Sequence, residues 1–514
     1  MAEARTPHLG MITGCVMLAT IMQALDTTIA NVALPYMQGN LSASQDQINW
    51  VLTSYIVAAA IMTPPTGWLA ARFGRRRLFL ISVFGFTIAS MLCGAATSLA
   101  QIVLYRLLQG VFGAALVPLS QAVLLDSYPP ERHGAAMAMW GVGVMVGPVL
   151  GPILGGWLTE TYTWRWVFYI NLPFGILAFL GIATFITETP ARYGARFDWF
   201  GFGMLSLGVG ALQMMLDRGE QKDWFSSTEI ITEAVLSAVG FYLFLVQILT
   251  SRQPFISPKL FRDRNLSVGL LLIFAVGIIL LATLALLTPF LQTLIGYPVF
   301  AAGLIQSPRG IGTMFAMLVV GRLVGKVDTR LLLTIGFGLT AASLAWMTTF
   351  TADVSSHDLV LDGLLQGAGL GFTFVPLSAM TFSTIAVEFR TEATALYSLM
   401  RNLGSSIGIS VVSALLASNT QINHALLATM ITPYNAALRL PEIARAWNPM
   451  TAAGQTALNS VVTREATLIA FIDDYKLMMI VALAVIPLTL LLRQKSRRPA
   501  GAPDAGHSAA AALE

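Results

Sequence analysis

Long apolar blocks alternate with short polar stretches from one end of the chain to the other. Blocks of about 18 apolar residues or more recur, and at 1.5 Å per residue a helix of that length crosses most of a ~30 Å hydrocarbon layer. The pattern predicts fourteen membrane spans: 10–35, 48–71, 77–98, 100–125, 134–158, 164–187, 198–216, 229–250, 267–294, 299–321, 330–350, 358–385, 392–417 and 475–492. The expected fold class is therefore an all-α polytopic membrane protein.

The polar stretches orient these helices, because Lys and Arg accumulate on the cytoplasmic side. With the N-terminus inside, twenty of the 30 Lys and Arg residues fall in cytoplasmic segments. They are Arg5; Arg72, Arg75, Arg76 and Arg77; Arg132; Arg192 and Arg196; Arg252, Lys259, Arg262 and Arg264; Arg322, Lys326 and Arg330; Arg390; and Arg493, Lys495, Arg497 and Arg498. Arg106, Arg309 and Arg401 fall inside spans, and the rest lie outside, mostly in two longer loops. An odd number of spans would destroy this alternation, so both termini are expected in the cytoplasm.

Composition acts mainly by exclusion. Of 514 residues 56% are hydrophobic and 11% charged, against about 25% charged in a soluble protein. The net charge of +4 sits in short loops, with no basic, aromatic-interleaved segment, so the bilayer and not nucleic acid is the expected partner. Cys15 and Cys93 lie inside apolar runs and read as small buried hydrophobes. No Walker motif, metal-ligand spacing or nucleophile elbow occurs. His8, His133, His357, His424 and His507 all avoid the depths of spans. An ATP-driven machine, a metal site and an enzyme are therefore not expected, and no cofactor is needed beyond a proton gradient. The first apolar run imitates a signal peptide but continues through Asp26 to Pro35 without a cleavage site, which predicts an uncleaved span.

The chain repeats itself. "LLQGVFGAALVPLS" from Leu107 echoes "LLQGAGLGFTFVPLS" from Leu364, and "LPYMQ" at 34–38 echoes "TPFLQ" at 288–292. Pro118, Ser120 and Arg132 correspond to Pro376, Ser378 and Arg390 at one offset. Both copies run in the same membrane direction, which is the plan of a protein whose halves rock about a midplane site. The expected units are an N-terminal six-helix bundle over 1–192, two inserted helices and a linker over 193–264, and a C-terminal six-helix bundle over 265–492. That last unit carries a long outward loop over 418–473. A disordered basic tail follows over 493–514, ending in what looks like a cloning scar.

Candidate chemistry starts at Asp26, in the hydrocarbon and displaced toward the outer face. An ionised carboxylate there costs on the order of 2.5–3.5 kcal/mol or more, so burial favours the neutral acid and a proton can be taken up and released. Gln23 and Ala30 share its helix face. Asp26 reads either as a proton carrier or as a static ion pair fastening two helices. Arg106 is the natural partner, or else braces its own helix. Asn31, Tyr55, Gln109, Arg309, Gln366 and Arg401, with Gln23, are candidates for a polar substrate cavity. Three arginines set against one deep carboxylate would bias that cavity toward neutral or anionic amphiphiles. Gly143, Gly147, Gly151 and Gly155 recur every four residues and make a smooth helix face for close packing, while Pro148 and Pro152 add bends.

Several motifs resemble those of the major facilitator superfamily, in particular the fourteen-span drug:proton antiporters and their EmrB-type inner-membrane subunits. They are "LDTTIANVALP" at 25–35, "RLLQGVFGA" at 106–114, "GVMVGPVLGPILGG" at 143–156, "WRWVFYINLPFG" at 164–175, "LDRGEQKDWFSS" at 216–227 and "LMRNLGSSIG" at 399–408. The resemblance implies proton-driven export of amphipathic compounds by alternating access in a bacterial inner membrane. Asp26 and Arg106 would then couple protons, and Gly143, Gly147, Pro148, Gly151, Pro152, Gly155 and Gly156 would form the antiporter motif. It also implies partners: a periplasmic membrane-fusion adaptor, docked on the long outer loop, and an outer-membrane channel. "GWLAARFGRRR" at 67–77 resembles the superfamily's cytoplasmic gate, with Gly67, Arg72, Gly74, Arg75 and Arg76 in place. The usual aspartate of that motif is Ala71 here, leaving Asp126 or Glu131 to hold the gate. The competing readings are an exporter dedicated to one lipid, fatty acid or metabolite, and a non-transporting membrane sensor.

Overall fold

The computed structural model describes residues 9–189, 197–251, 254–431, 447–448 and 450–493. Arg192, Arg196, Arg252 and the tail from Gln494 onward lie outside the described residues, as does the centre of the expected outer loop. The described chain is built from helices. The N-terminal bundle holds α1 (Leu9–Asn40), α2 (Gln45–Met62), α3 (Thr66–Phe73), α4 (Arg75–Ala95), α5 (Leu99–Gly113), α6 (Leu116–Ser127), α7 (His133–Thr161), α8 (Trp166–Tyr169) and α9 (Asn171–Phe185). The inserted pair is α10 (Trp199–Arg218) and α11 (Thr228–Thr250). The C-terminal bundle holds α12 (Arg264–Pro289), α13 (Val299–Leu323), α14 (Thr329–Met347), α15 (Ser356–Thr381), α16 (Arg390–Thr429) and α17 (Ala452–Thr489).

Local chemistry sets the breaks. Ser44 opens α2 with a capping box completed by Gln47, so two otherwise orphaned N–H groups are satisfied. Pro64 and Pro65 bend α2 against α3 by 59°. Gly74, at φ +87°, turns the chain between α3 and α4, where a side chain would be strained. Asp198, Asp263 and Ser355 cap α10, α12 and α15.

Among the described residues, eleven helical segments are long and apolar enough to cross a membrane, or twelve if α2 and α3 are one bent span. The segments expected as the two remaining spans are helical, as α13 and α17, but are not among those candidates. "QSPRG" interrupts the apolar run of α13, and Asp473, Asp474 and Lys476 interrupt that of α17. Large apolar side chains such as Phe84, Leu104, Tyr242, Leu249 and Phe315 are exposed on the outside of the bundles, as a hydrocarbon solvent requires. Only 22% of the apolar stretch of α11 is buried, against 67% for α15, which puts α11 at the periphery.

The expected long loop over 418–473 is corrected. α16 runs on for 40 residues and α17 begins at Ala452, 23 residues before the expected start of its span. At 1.5 Å per residue each helix is nearly 60 Å long, about twice the hydrocarbon thickness. The two pack side by side as a helical hairpin longer than the hydrocarbon layer is thick, with His424 Nε2 and Asn459 Oδ1 2.9 Å apart. No Gly or Pro lies between Gly408 and Thr429 to stop α16, so polarity there marks helix in water and not loop.

The two bundles meet along α7 with α13 and α15, and along α16 with α3 and α6. α10 packs against both α2 and α16 and so touches each bundle.

Candidate functional site

Asp26 lies at the meeting point of α1, α2, α4, α5 and α9. Arg106 Nη1 donates to Asp26 Oδ2 at 2.6 Å. Gln109 Nε2 and Asn171 Nδ2 donate to Asp26 Oδ1 at 2.7 and 2.9 Å. Arg106 and Gln109 are one helical turn apart on α5, so both reach the same carboxylate. The arginine is itself held from three sides: Nε donates to Val51 O at 3.1 Å, Nη1 to Gln109 Oε1 at 2.8 Å, and its guanidinium lies 4.3 Å from the Tyr55 ring centroid. Gln23 Nε2 donates to Tyr55 Oη at 3.2 Å. Asn171 Nδ2 also reaches Ser90 Oγ at 2.9 Å, which donates to Phe168 O. Asp26 and Arg106 are 2% and 1% exposed, so the pair is deeply buried.

The Arg106 cation and two amide donors together compensate the carboxylate, and removing either charge of the pair would leave the other buried without a partner, which costs several kcal/mol.

Of the remaining cavity candidates, Gln23, Tyr55 and Gln109 belong to this cluster. Asn31 is exposed one turn further along α1 and returns its amide to Thr27 O at 3.2 Å. Arg309 and Gln366 lie in the C-terminal bundle on α13 and α15, both buried. Arg401 is half-buried on α16, beside Asn402. The picture of three arginines facing one lone deep carboxylate is corrected, because Asp362 and Asp474 are also buried, at 2% and 1% exposure. The expected spans begin at 358 and 475, so neither Asp362 nor Asp474 is singled out, and Asn171 lies in a quoted motif with no role assigned to it. The Ser355 cap, which fixes where α15 starts, was the available signal for Asp362.

The spaced glycines of α7 pack directly on α1. A Cβ on Gly147 would stand 2.5 Å from the Ala24 backbone, and one on Gly151 would overlap Thr28. Thr28 Oγ1 donates to Gly147 O at 3.0 Å. Gly143 faces Met17 and Gly155 faces Val32 and Ile29, whereas Gly156 faces open space. α7 remains one helix through Pro148 and Pro152, and its other side meets α13: Pro152 faces Gly303, Val149 faces Gly310 and Ala138 faces Gly321. The motif thus lies in the seam.

The arginine-rich end of that seam is shut. Asp126 pairs with Arg75 and with Arg390, the latter at 2.6 Å, joining the two bundles. Arg75 Nη2 donates to Val387 O at 2.8 Å, Arg390 Nη1 to Leu125 O at 2.8 Å, and Thr394 Oγ1 to Pro118 O at 3.0 Å. A Cβ on Gly67 would lie 2.8 Å from Glu392 Cα. Of the two acids expected to hold the gate, Asp126 makes these pairs, while Glu131 is exposed. Glu188 accepts the Arg76 and Arg77 N–H groups at 3.2 Å each, an anion at the start of α4. The Arg76 side chain turns to Ala183 O, and Arg72 closes the last turn of α3. At the opposite end no hydrogen bond or ion pair links the two bundles directly among the described residues.

A family profile described as Major Facilitator Superfamily matches residues 16–409. The chain belongs to the Major Facilitator Superfamily. It is 38% identical over 93% of its length to the fatty acid resistance protein FarB of Neisseria gonorrhoeae, of which 94% is covered. It is 39% identical to the multidrug export protein EmrB of Haemophilus influenzae and 38% identical to that of Escherichia coli, in each case over 83% of this chain and 84% of the relative. The crystal structure of the human organic anion transporter MFSD10 superposes with a TM-score of 0.58 at 14% identity, covering 93% of this chain and all of that one. This superfamily member is thus a multi-pass membrane transporter, and the Asp26 cluster and the Asp126 clasp occupy, respectively, the interior of one bundle and the seam between the two.

Proposed function

We propose that this protein exports hydrophobic or amphipathic compounds in exchange for protons by alternating access. The observation that carries the reading is the buried Asp26–Arg106 pair, 2.6 Å apart, with a titratable acid where charge is costly. The names of the EmrB relatives support multidrug export. On this reading α13 and α17 complete fourteen spans, the arginine-rich face is cytoplasmic in a bacterial inner membrane with both termini inside, and the clasped seam represents an outward-facing state. The test is uphill efflux of a fluorescent amphiphile from proteoliposomes under an imposed pH gradient. Efflux that ignores the gradient defeats the reading.

The α16–α17 hairpin gives the proposed adaptor a docking surface on the outer side, and through it an outer-membrane channel. Ile422, Leu426 and Met430 expose 54%, 57% and 69% of their surface there, outside the length that lipid can cover.

A dedicated fatty-acid exporter is the second reading, favoured by the near-complete coverage of FarB. A panel of chemically varied substrates separates the two: efflux restricted to long-chain carboxylates selects the dedicated exporter.

A further inference from the structure

A second set of titratable side chains occupies the C-terminal bundle, in the half away from the arginine-rich face. Asp362 lies about 9 Å into α15, Arg309 about 15 Å into α13, and Asp474 about 22 Å from the end of α17. They are 2%, 6% and 1% exposed, and Tyr475 is fully buried. Arg309 spends Nη2 on Leu280 O at 3.1 Å, and its Nη1 has no hydrogen-bond partner. Neither carboxylate oxygen of Asp474 has one, nor do the Tyr475 hydroxyl and Gln366 Nε2. Asp362 Oδ1 accepts from Ser343 at 2.8 Å. Arg309 is in electrostatic reach of Asp362 and Tyr475, and Tyr475 in reach of both carboxylates.

The interior stretches of the surrounding helices add little further charge. α12 over 265–289 and α14 over 331–347 contain no acidic, basic, His or Tyr residue. On α16, Arg401 and Tyr397 interact with each other. Asp473, beside Asp474, is engaged by Lys476 at 3.3 Å.

Buried charge persists only when it is compensated. Here Arg309 reaches Asp362 and compensates it, whereas Asp474, buried at 1% exposure, accepts no hydrogen bond from any described residue, so a proton is what balances it. The set is neutral with one proton bound and negative without it. Asp26 and Arg106 are the reverse case, neutral with no proton.

We propose that Asp362 and Asp474, with Arg309 and Tyr475, form a second proton-binding site that holds one exchangeable proton. Binding forms one O–H bond on a carboxylate oxygen with a proton taken from water, and release breaks the same bond. The proposal rests on the proton-driven reading for its use in transport, but binding itself is tested without transport.

Infrared difference spectra of the full-length protein in detergent, between acid and alkaline pH, read the protonated carboxyl C=O band directly. Wild type should show a buried-carboxyl band that disappears at alkaline pH. Asp474→Asn should abolish or displace it, Asp362→Asn should do the same, and Asp26→Asn should leave it. Asp474→Glu should restore a band, which separates loss of the acid from loss of the fold. A wild-type band untouched by both Asn variants overturns the site. In liposomes with a pH difference of about one unit, the double Asn variant should reach a substrate ratio about tenfold below wild type, since each coupled proton is worth about a factor of ten per pH unit. Should wild type itself fail to accumulate substrate, the export reading fails while the infrared band still decides the site.

Discussion

Arg390, at the start of α16, and Asp126, in the last turn of α6, meet across the seam with Nη1 and Oδ1 2.6 Å apart. The same carboxylate takes Arg75, so one acid holds two guanidiniums. Both partners of the Arg390 pair keep some exposure, 13% and 20% of their side chains, so solvent screens part of the interaction. A loss of about 1–2 kcal/mol is expected in Asp126→Ala, which moves the ratio of closed to open seam by roughly 5- to 30-fold. Spin labels at Phe73 and Leu331, both exposed, should show longer distances in that variant and near-wild-type distances in Asp126→Glu. An unchanged distribution would mean that apolar packing alone keeps the face shut.

The glycines of α7 are expected to differ sharply in tolerance. Gly147→Val meets the Ala24 backbone, which cannot yield as a flexible side chain does. It should cost about 1–3 kcal/mol in thermal unfolding, or force α1 and α7 apart. Gly156→Ala enters open space and should leave both stability and efflux within experimental error. Equal effects at the two positions would remove the packing account of the motif.

The α16–α17 hairpin predicts a separable defect. Ile422→Asp combined with Leu426→Asp places charge on exposed apolar positions without touching either bundle. Pull-down of a co-expressed membrane-fusion adaptor should fall at least several-fold, whereas transport in proteoliposomes should persist. Full adaptor capture by this variant would move the docking surface elsewhere.

Much of the architecture was legible in the chain, because lipid imposes a strict rule of length and polarity on each helix. Asp26, Arg106 and Gln109 stood out as polar side chains within apolar runs, and Asp126 was one of two acids able to replace the missing gate aspartate. Their mutual contacts were not legible, since nothing local encodes which helices touch. Asp362 and Asp474 escaped for a different reason: both lie near span boundaries in the sequence, and hydropathy blurs boundaries where acids enter a helix. The hairpin was misread because its polar face satisfies water while its backbone, free of Gly and Pro for over twenty residues in α16, continues as helix.

Asp26 carries the proton in the proposed export cycle. Asp26→Asn keeps size and one acceptor oxygen for the donors from Gln109 and Asn171, but it removes the titratable charge that faces Arg106. The decisive measurement is uphill efflux by purified Asp26→Asn in proteoliposomes under an imposed pH gradient, alongside downhill exchange in the same vesicles. The prediction is a folded protein whose uphill accumulation falls to background, a loss of about tenfold for each pH unit imposed, while substrate binding remains measurable. Uphill transport at the wild-type rate would contradict the account and reduce Asp26 and Arg106 to a fastening between α1 and α5.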